Sequence, residues 1–190
     1  MSAGKLGTTH QINSGAANQA WAGPFPVCNP STVEKILQLR ELVYRSEPSL
    51  VNLCLLNSAT FRDTHDAHAD HWIITVEESI VAAARLCIHC DAGDLPNQDL
   101  YHHMIAGIPV PIASLNRMVV HPSMRRQGLS RALTAARIKA ARSRGARSMI
   151  VEAAPNRIPP LWDLGFRELG HTVGEPYLVR FSLMYLDLSV

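Results

Sequence analysis

Long apolar runs are missing from this 190-residue chain. None reaches the ~18 residues that suggest a membrane span, so no membrane partner is expected. Met1 to Ala20 lacks the basic start and apolar core of a signal peptide, so a cytoplasmic location is the expectation. Cysteine is sparse: Cys28, Cys54, Cys87 and Cys90 are the only four. Cys87-Ile88-His89-Cys90 has the spacing of a redox or zinc pair. The segment from Ile80 to Cys90 reads as a strand, however, and residues three apart on a strand face opposite ways. Buried, unpaired thiols are therefore expected there. Acidic residues are scarce between Arg117 and Arg167. Eleven of the 18 basic residues lie in that span, opposed only by Glu152 and Asp163. Basic segments can bind nucleic acid, but these arginines have no aromatic interleaving and are spread around a helical pattern. Nucleic acid is not the expected partner.

What is present is an ordinary globular composition, 47% hydrophobic and 18% charged, in a chain of one-domain length. The most informative stretch runs from Ser114 to Gly145. Leu115-Asn116-Arg117-Met118-Val119-Val120 reads as a buried strand. His121-Pro122-Ser123 ends it, because proline cannot donate to a ladder. A basic loop, Met124 to Gly128, then leads into a helical pattern through Arg144, and Gly145 stands where a C′ glycine is expected. The first turn of a helix has free N–H groups and a positive dipole end. Gly128 lets backbone approach a ligand closely, and Arg125, Arg126 and Arg131 add positive charge. This arrangement suits a pyrophosphate, which also accounts for the basic bias.

The run Val120-His121-Pro122-Ser123-Met124-Arg125-Arg126-Gln127-Gly128-Leu129-Ser130 resembles the acetyl-CoA loop of the GCN5-related N-acetyltransferases. That family's pattern is Arg or Gln, two residues, Gly, one residue, then Gly or Ala. Here Ser130 departs from the last position by one hydroxyl. Asn156 and the later Leu164-Gly165-Phe166 also match the family, whose corresponding helix ends in Leu-Gly-Phe. The resemblance implies a mixed α/β fold: a central, mostly antiparallel sheet flanked by helices, with a strand–phosphate loop–helix–strand unit.

Several elements follow from local pattern. Residues 1–30, rich in Gly, Ala, Ser, Asn and Pro, read as an extended, flexible arm, packed near Trp21 to Val27, ahead of a single domain at 31–190. Ser31-Thr32-Val33-Glu34 is a capping box opening a helix that ends before Pro48. A second short helix or turn is expected near Leu50 to Leu56. Asp63-Thr64-His65-Asp66-Ala67-His68-Ala69-Asp70-His71 alternates metal-ligand types, but its spacing fits no standard ligand pattern. A solvated loop is the first expectation; a metal site or an acceptor contact is the alternative. His71–Glu77 and Ile80–Cys90 read as paired strands. Arg85, within an apolar strand, needs a partner: a structural ion pair, or an acceptor carboxylate gripped by its fork. The long connection Asp91–Ile112 is a candidate to fold over the acceptor mouth with Tyr101, His102 and His103. Arg147–Ala154 reads as a strand parallel to Leu115–Val120. A short helix over Ile158–Leu164 and strands at Phe166–His171 and Leu178–Leu186 complete the pattern.

The resemblance also implies roles. Backbone at Met118, Val119 and Val120 would meet the pantetheine amides, and an N–H near Val120 would bond the thioester oxygen. Arg125, Arg126, Gln127, Gly128, Leu129, Ser130, Arg131 and Asn156 would hold acetyl-CoA or another acyl-CoA, with no metal. Where many members carry a glutamate base, this chain has Ser114, which could hold a water. Where many carry a tyrosine acid, it has Leu161 and Trp162. By chemistry the alternatives are His89, His102, His103, His171, Tyr101, Tyr177 and Glu152, or attack by an already neutral amine. Arg85, Tyr101 and His102 are the candidate acceptor contacts. The expected activity is acyl transfer, acetyl first, to the amine of a small molecule. Two alternatives stand beside it. Ala83-Ala84-Arg85-Leu86 followed by a long insert resembles the acyl-homoserine-lactone and N-acyl amino acid synthases, which implies longer acyl chains on CoA or an acyl carrier protein. The other is an acyl-CoA-binding module without turnover. A homodimer is compatible with either.

Overall fold

The computed structural model describes residues 20–27, 29–47, 61–172 and 181–189. Within them, seven strands form one sheet in the order β1-β2-β3-β4-β5-β7-β6. The strands are β1 (Ala22–Val27), β2 (Asp70–Val76), β3 (Ser79–His89), β4 (Ile112–Val120), β5 (Ser148–Ala153), β6 (Arg167–Thr172) and β7 (Phe181–Asp187). Only β4 and β5 pair in parallel. They do so because α2 (Leu129–Ser143) carries the chain back between them.

Helices α1 (Pro30–Arg45) and α2 cover opposite faces. On α1, Ile36, Leu39 and Val43 pack against Ala83 and Val119. On α2, Leu129 and Leu133 pack against Ala82, Ala84 and Ile74. Adjacent alanines of β3 thus serve different faces, as strand alternation requires. A short helix, α3 (Ile158–Trp162), follows β5, and Leu161 fills the α2 side of the core.

The local readings hold for the strands, the hairpin at Glu77-Glu78 and the strand–loop–helix–strand unit. Three differ. The packed part of the arm, Ala22–Val27, is an edge strand paired with β2; Pro24 and Pro26 are tolerated because an edge leaves amides unpaired. The N-cap of α1 is Asn29, not Ser31. Pro30 takes the first helical position, where its missing N–H costs nothing, and Asn29 Oδ1 accepts from Thr32 N–H at 2.8 Å. Ser31 Oγ donates to that same oxygen. The stretch 63–71 is not a solvated loop: Thr64–Ala67 forms a 3-10 turn and His71 lies buried in β2. The expected helix at 50–56, and Cys28, Cys54 and Tyr177, lie outside the described residues. Cys87 is buried and Cys90 exposed, both free; burial pushes the Cys87 thiol up to about 11.

Asp66 anchors this turn. Its carboxylate meets the fully buried Arg40 of α1 at 3.0 Å and Arg85 of β3 at 3.0 Å. It also accepts from the Asp63 N–H at 2.9 Å. Burial works to raise the Asp66 carboxyl, but Arg40 and the Asp63 amide outweigh it and hold it below the usual carboxylate range. The stabilisation is therefore present above the ordinary pKa and is lost as pH falls through the lower folded value. Removing one partner of a buried pair strands the other charge, at a cost of about 3–5 kcal/mol. Asp66→Ala should lose that much in urea unfolding, with the gap from wild type closing on acidification. A loss under about 1 kcal/mol, the level of an exposed pair, would show that the pair anchors nothing.

Candidate active site

The strands β4 and β5 pair only at Ile112↔Ser148, Ala113↔Met149 and Ser114↔Ile150. Beyond Ser114 they part, although each runs on, to Val120 and to Ala153. The result is a wedge-shaped gap in the middle of the sheet, with Ser114 at its closed end. A bulge in β4 sets the gap's wall: Ala83 pairs with Val119 but Arg85 with Asn116, leaving one extra residue on β4. Arg117 carries the strain with φ 51. The His121 N–H bonds to Val81 of β3 at 2.8 Å. Alternation along the strand then turns the Val120 N–H away from β3, toward the gap.

At the end of β4, Pro122–Met124 makes a 3-10 turn, and Gly128 caps α2 with φ 81. The first bond into the helix runs from Ala132 N–H to the Gly128 carbonyl at 3.0 Å. The amides of Leu129, Ser130 and Arg131 are therefore not used by the helix. A Cβ built on Gly128 meets nothing within 4 Å, so the space in front of these amides is open. Arg126, also at positive φ (64), is exposed, Arg125 pairs with Glu47, and Arg131 lies 3.4 Å from Asp163. Amides, dipole end, open space and exposed guanidinium groups fit a pyrophosphate.

On the α1 face of the gap lies a polar cluster that sequence reasoning saw only in pieces. Arg85, 1% exposed, bonds Asp63, Asp66 and Asn116, the last through Nε at 2.6 Å. Arg117 Nη2 donates to Asp63 at 2.8 Å from the rim. Burial would raise the Asp63 carboxyl, yet Arg85 and Arg117 together hold it far below the usual range. Asn116 Nδ2 reaches Ser114 Oγ at 3.2 Å, and Ser114 Oγ lies 2.9 Å from His89 Nε2. The rings of His89 and the partly exposed His65 meet edge to face at 5.9 Å. Burial, then the neighbouring His65, lowers the His89 pKa, so the ring is neutral at pH 7. Ser114 and His89 were separate candidates in the sequence; the β3–β4 register puts them on one diagonal, His89 two residues beyond the partner of Ser114.

The other candidates lie elsewhere. Tyr101 is buried among Ile112, Ile150 and Leu183, with its hydroxyl donated to the Pro96 carbonyl. His102 is exposed and bonded to the Asp99 carbonyl at 3.3 Å. The insert thus packs as core beside the gap. Asn97 ties it to Glu152 at 3.2 Å, and burial raises that carboxyl. His171 pairs with Glu168 on the far edge strand. Asn156 sits in the turn Pro155–Arg157 at the open end of the gap. Among the described residues no group of three or more metal-ligating side chains is arranged to hold an ion, and no helix is long and apolar enough to cross a membrane.

The Acetyltransferase (GNAT) family matches residues 36–166 of the chain. No curated protein matches it by sequence. Among solved structures, FeeM, an N-acyl amino acid synthase from uncultured soil microbes, superposes with a TM-score of 0.64 at 12% identity, over 86% of this chain and 88% of that one. The ribosomal-protein-S18-alanine N-acetyltransferase of Escherichia coli gives 0.56 at 16%, over 87% and 96%. The yncA protein of Salmonella typhimurium, solved with its cofactor acetyl-CoA, gives 0.58 at 14%, over 88% and 95%. At these identities the likeness is one of fold.

The loop carries a direct test. Gly128→Val places a branched side chain in the open space and strains a left-handed backbone. Calorimetry should show coenzyme A affinity reduced by on the order of 10-fold or more, a loss of about 1.4 kcal/mol, with the thermal transition largely kept. Unchanged affinity would remove the loop from ligand binding.

Proposed function

This chain belongs to the acetyltransferase (GNAT) family, whose enzymes use acyl-CoA, and from that premise we propose that it transfers an acyl group, acetyl first, from acyl-CoA to the amine of a small-molecule acceptor. The observation that carries the reading is the parting of β4 from β5 immediately beside a helix-start loop with open space over Gly128. A pyrophosphate on the loop directs the rest of the donor along the gap. There the Val120 N–H and the backbone of Met118 can pair with an extended amide-bearing arm, while the Val119 amide faces Ala83 of β3. The acceptor approaches from the α1 face, where Asp63 and Arg117 form the rim of the polar cluster and Arg85 holds Asp63 from beneath.

Acyl transfer needs the amine to lose a proton. Ser114 is a weak base, but His89 behind it is a neutral imidazole within hydrogen-bond distance. In this reading Ser114 passes the proton from an amine, or from a water bonded to it, to His89 Nε2. The partly exposed His65 beside His89 leads on to solvent. The Asn116 bond fixes the Ser114 oxygen, and Arg85 fixes Asn116.

Thioester consumption against a panel of primary amines tests the assignment; coenzyme A binding without turnover on any amine would leave a binding module instead. Within a working reaction, Ser114→Ala should lower kcat on the order of 10²-fold while leaving acyl-CoA affinity in place. The wild-type kcat should fall on the acid side below pH 6.5, because His89 protonates below its ordinary value. In His89→Gln that acid limb should vanish. A kcat and pH profile unchanged in both variants would mean that the amine deprotonates in bulk water.

A further inference from the structure

Arg137 of α2 is wholly buried, and no carboxylate pairs with it among the described residues. Its Nε donates to the Leu133 carbonyl at 3.2 Å and its Nη1 to the Arg85 carbonyl at 3.0 Å, opposite the bulge. Its Nη2 points to Met118 Sδ at 3.5 Å. A second guanidinium, Arg157, approaches the same sulfur at 3.6 Å from the turn after β5. It likewise lacks a carboxylate among the described residues. Two cations thus converge on one thioether, a weak acceptor where guanidinium donors ordinarily find an anion. Burial, and then Arg157, pulls Arg137 down to about 9. Burial lowers Arg157 as well. The arrangement is costly as it stands, since like charges are held close together away from water.

The place of this pair is informative. Arg157 follows β5 and Met118 lies on β4, so their contact spans the mouth of the gap. Arg137 stands nine residues beyond Gly128 on α2, roughly 13 Å along the axis at 1.5 Å per residue. An extended pantetheine arm running from a pyrophosphate at Gly128 delivers its sulfur to that level. The charged groups on the facing strands are turned away: Arg85 and Arg117 bond Asp63, and Glu152 bonds Asn97, all on the α1 face.

We propose that Arg157, backed by Arg137, receives the coenzyme A thiolate as it leaves, at the position held here by the Met118 sulfur; the proposal rests on the acyl-CoA reading above. The amine nitrogen forms the C–N bond to the carbonyl carbon. The C–S bond breaks and its electron pair goes to sulfur. The amine proton goes to His89 through Ser114 and on to water. The thiolate stays unprotonated between the two guanidinium groups and takes a proton from water on release. Met118, unbranched and adaptable, moves aside for the donor sulfur. Both guanidinium groups touch the leaving atom, Arg157 as the accessible member of the pair. Arg137 is the fixed member, tied to the Arg85 carbonyl.

The test is a titration of coenzyme A bound to the full chain, read by thiolate absorbance across pH. In wild type the bound thiol should ionise at least tenfold more readily than free coenzyme A. In Arg157→Met it should lose most of that shift, with desulfo-coenzyme A binding within about twofold of wild type, and Arg157→Lys should restore most of it. Arg157 is partly exposed, so its variants keep the test independent of whether Arg137→Met folds. A bound thiol that ionises as in free solution in wild type, or equally in wild type and Arg157→Met, overturns the proposal and leaves the acyl-CoA reading intact. Failure of wild type to bind coenzyme A at all overturns both.

Discussion

Arg85 ties the two faces of the sheet together, and the rest of the site depends on it. Its side chain gathers Asp63, Asp66 and Asn116 on the α1 face. Its carbonyl, left beside a bulge, accepts Arg137 from α2 on the other. A charge buried in mid-strand is expensive unless fully bonded, and here the bonding is the structure. Asp66 brings in α1 through Arg40, Asp63 brings in the bulge residue Arg117, and Asn116 brings in Ser114. Without the arginine, buried Asp66 would keep only Arg40 as a guanidinium partner, and Asp63 at the rim only Arg117. Apolar clusters flank it on either side, around Val119 and around Ile112.

What was legible in the sequence is what depends on neighbours along the chain. The strand ending at Val120, the turn at Pro122, the cap at Gly128 and the helix to Ser143 each announce themselves within a few residues. The hairpin of β2 and β3 does the same. The polar cluster does not. Arg40 sits among Ile36, Leu37 and Val43 and reads as one more residue of a helical stripe. Its partner Asp66 is 26 residues away and sits in a stretch whose histidines draw the eye to metals. The pairing of Ser114 with His89 depends on a register, and the register shifts by one residue at the bulge; no local pattern specifies that shift. Arg137 looks like any arginine on a basic helix, because nothing nearby in sequence shows that its face is the buried one. β1 was missed for the opposite reason: two prolines argue against a strand unless it is known to be an edge.

The absent glutamate and tyrosine at the family's usual positions are therefore not simple losses. In the proposed mechanism each role falls to a pair of residues, Ser114 with His89 across β4 and β3, and Arg157 with Arg137 from the turn after β5 and from α2. In both, the second member is buried and shaped by desolvation. Such pairs are invisible to a motif, since neither half carries the function alone.

The bulge at Arg117 places adjacent side chains in different compartments, Arg117 with Asp63 and Met118 with Arg137. One step of backbone therefore separates what touches the incoming molecule from what touches the departing one. Substitutions on the exposed face of α1 or in the insert, away from Arg40 and Asp66, leave α2 and the turn at Pro155–Arg157 as they are. Under the proposed mechanism, the acceptor side of this scaffold can vary while the donor side stays fixed.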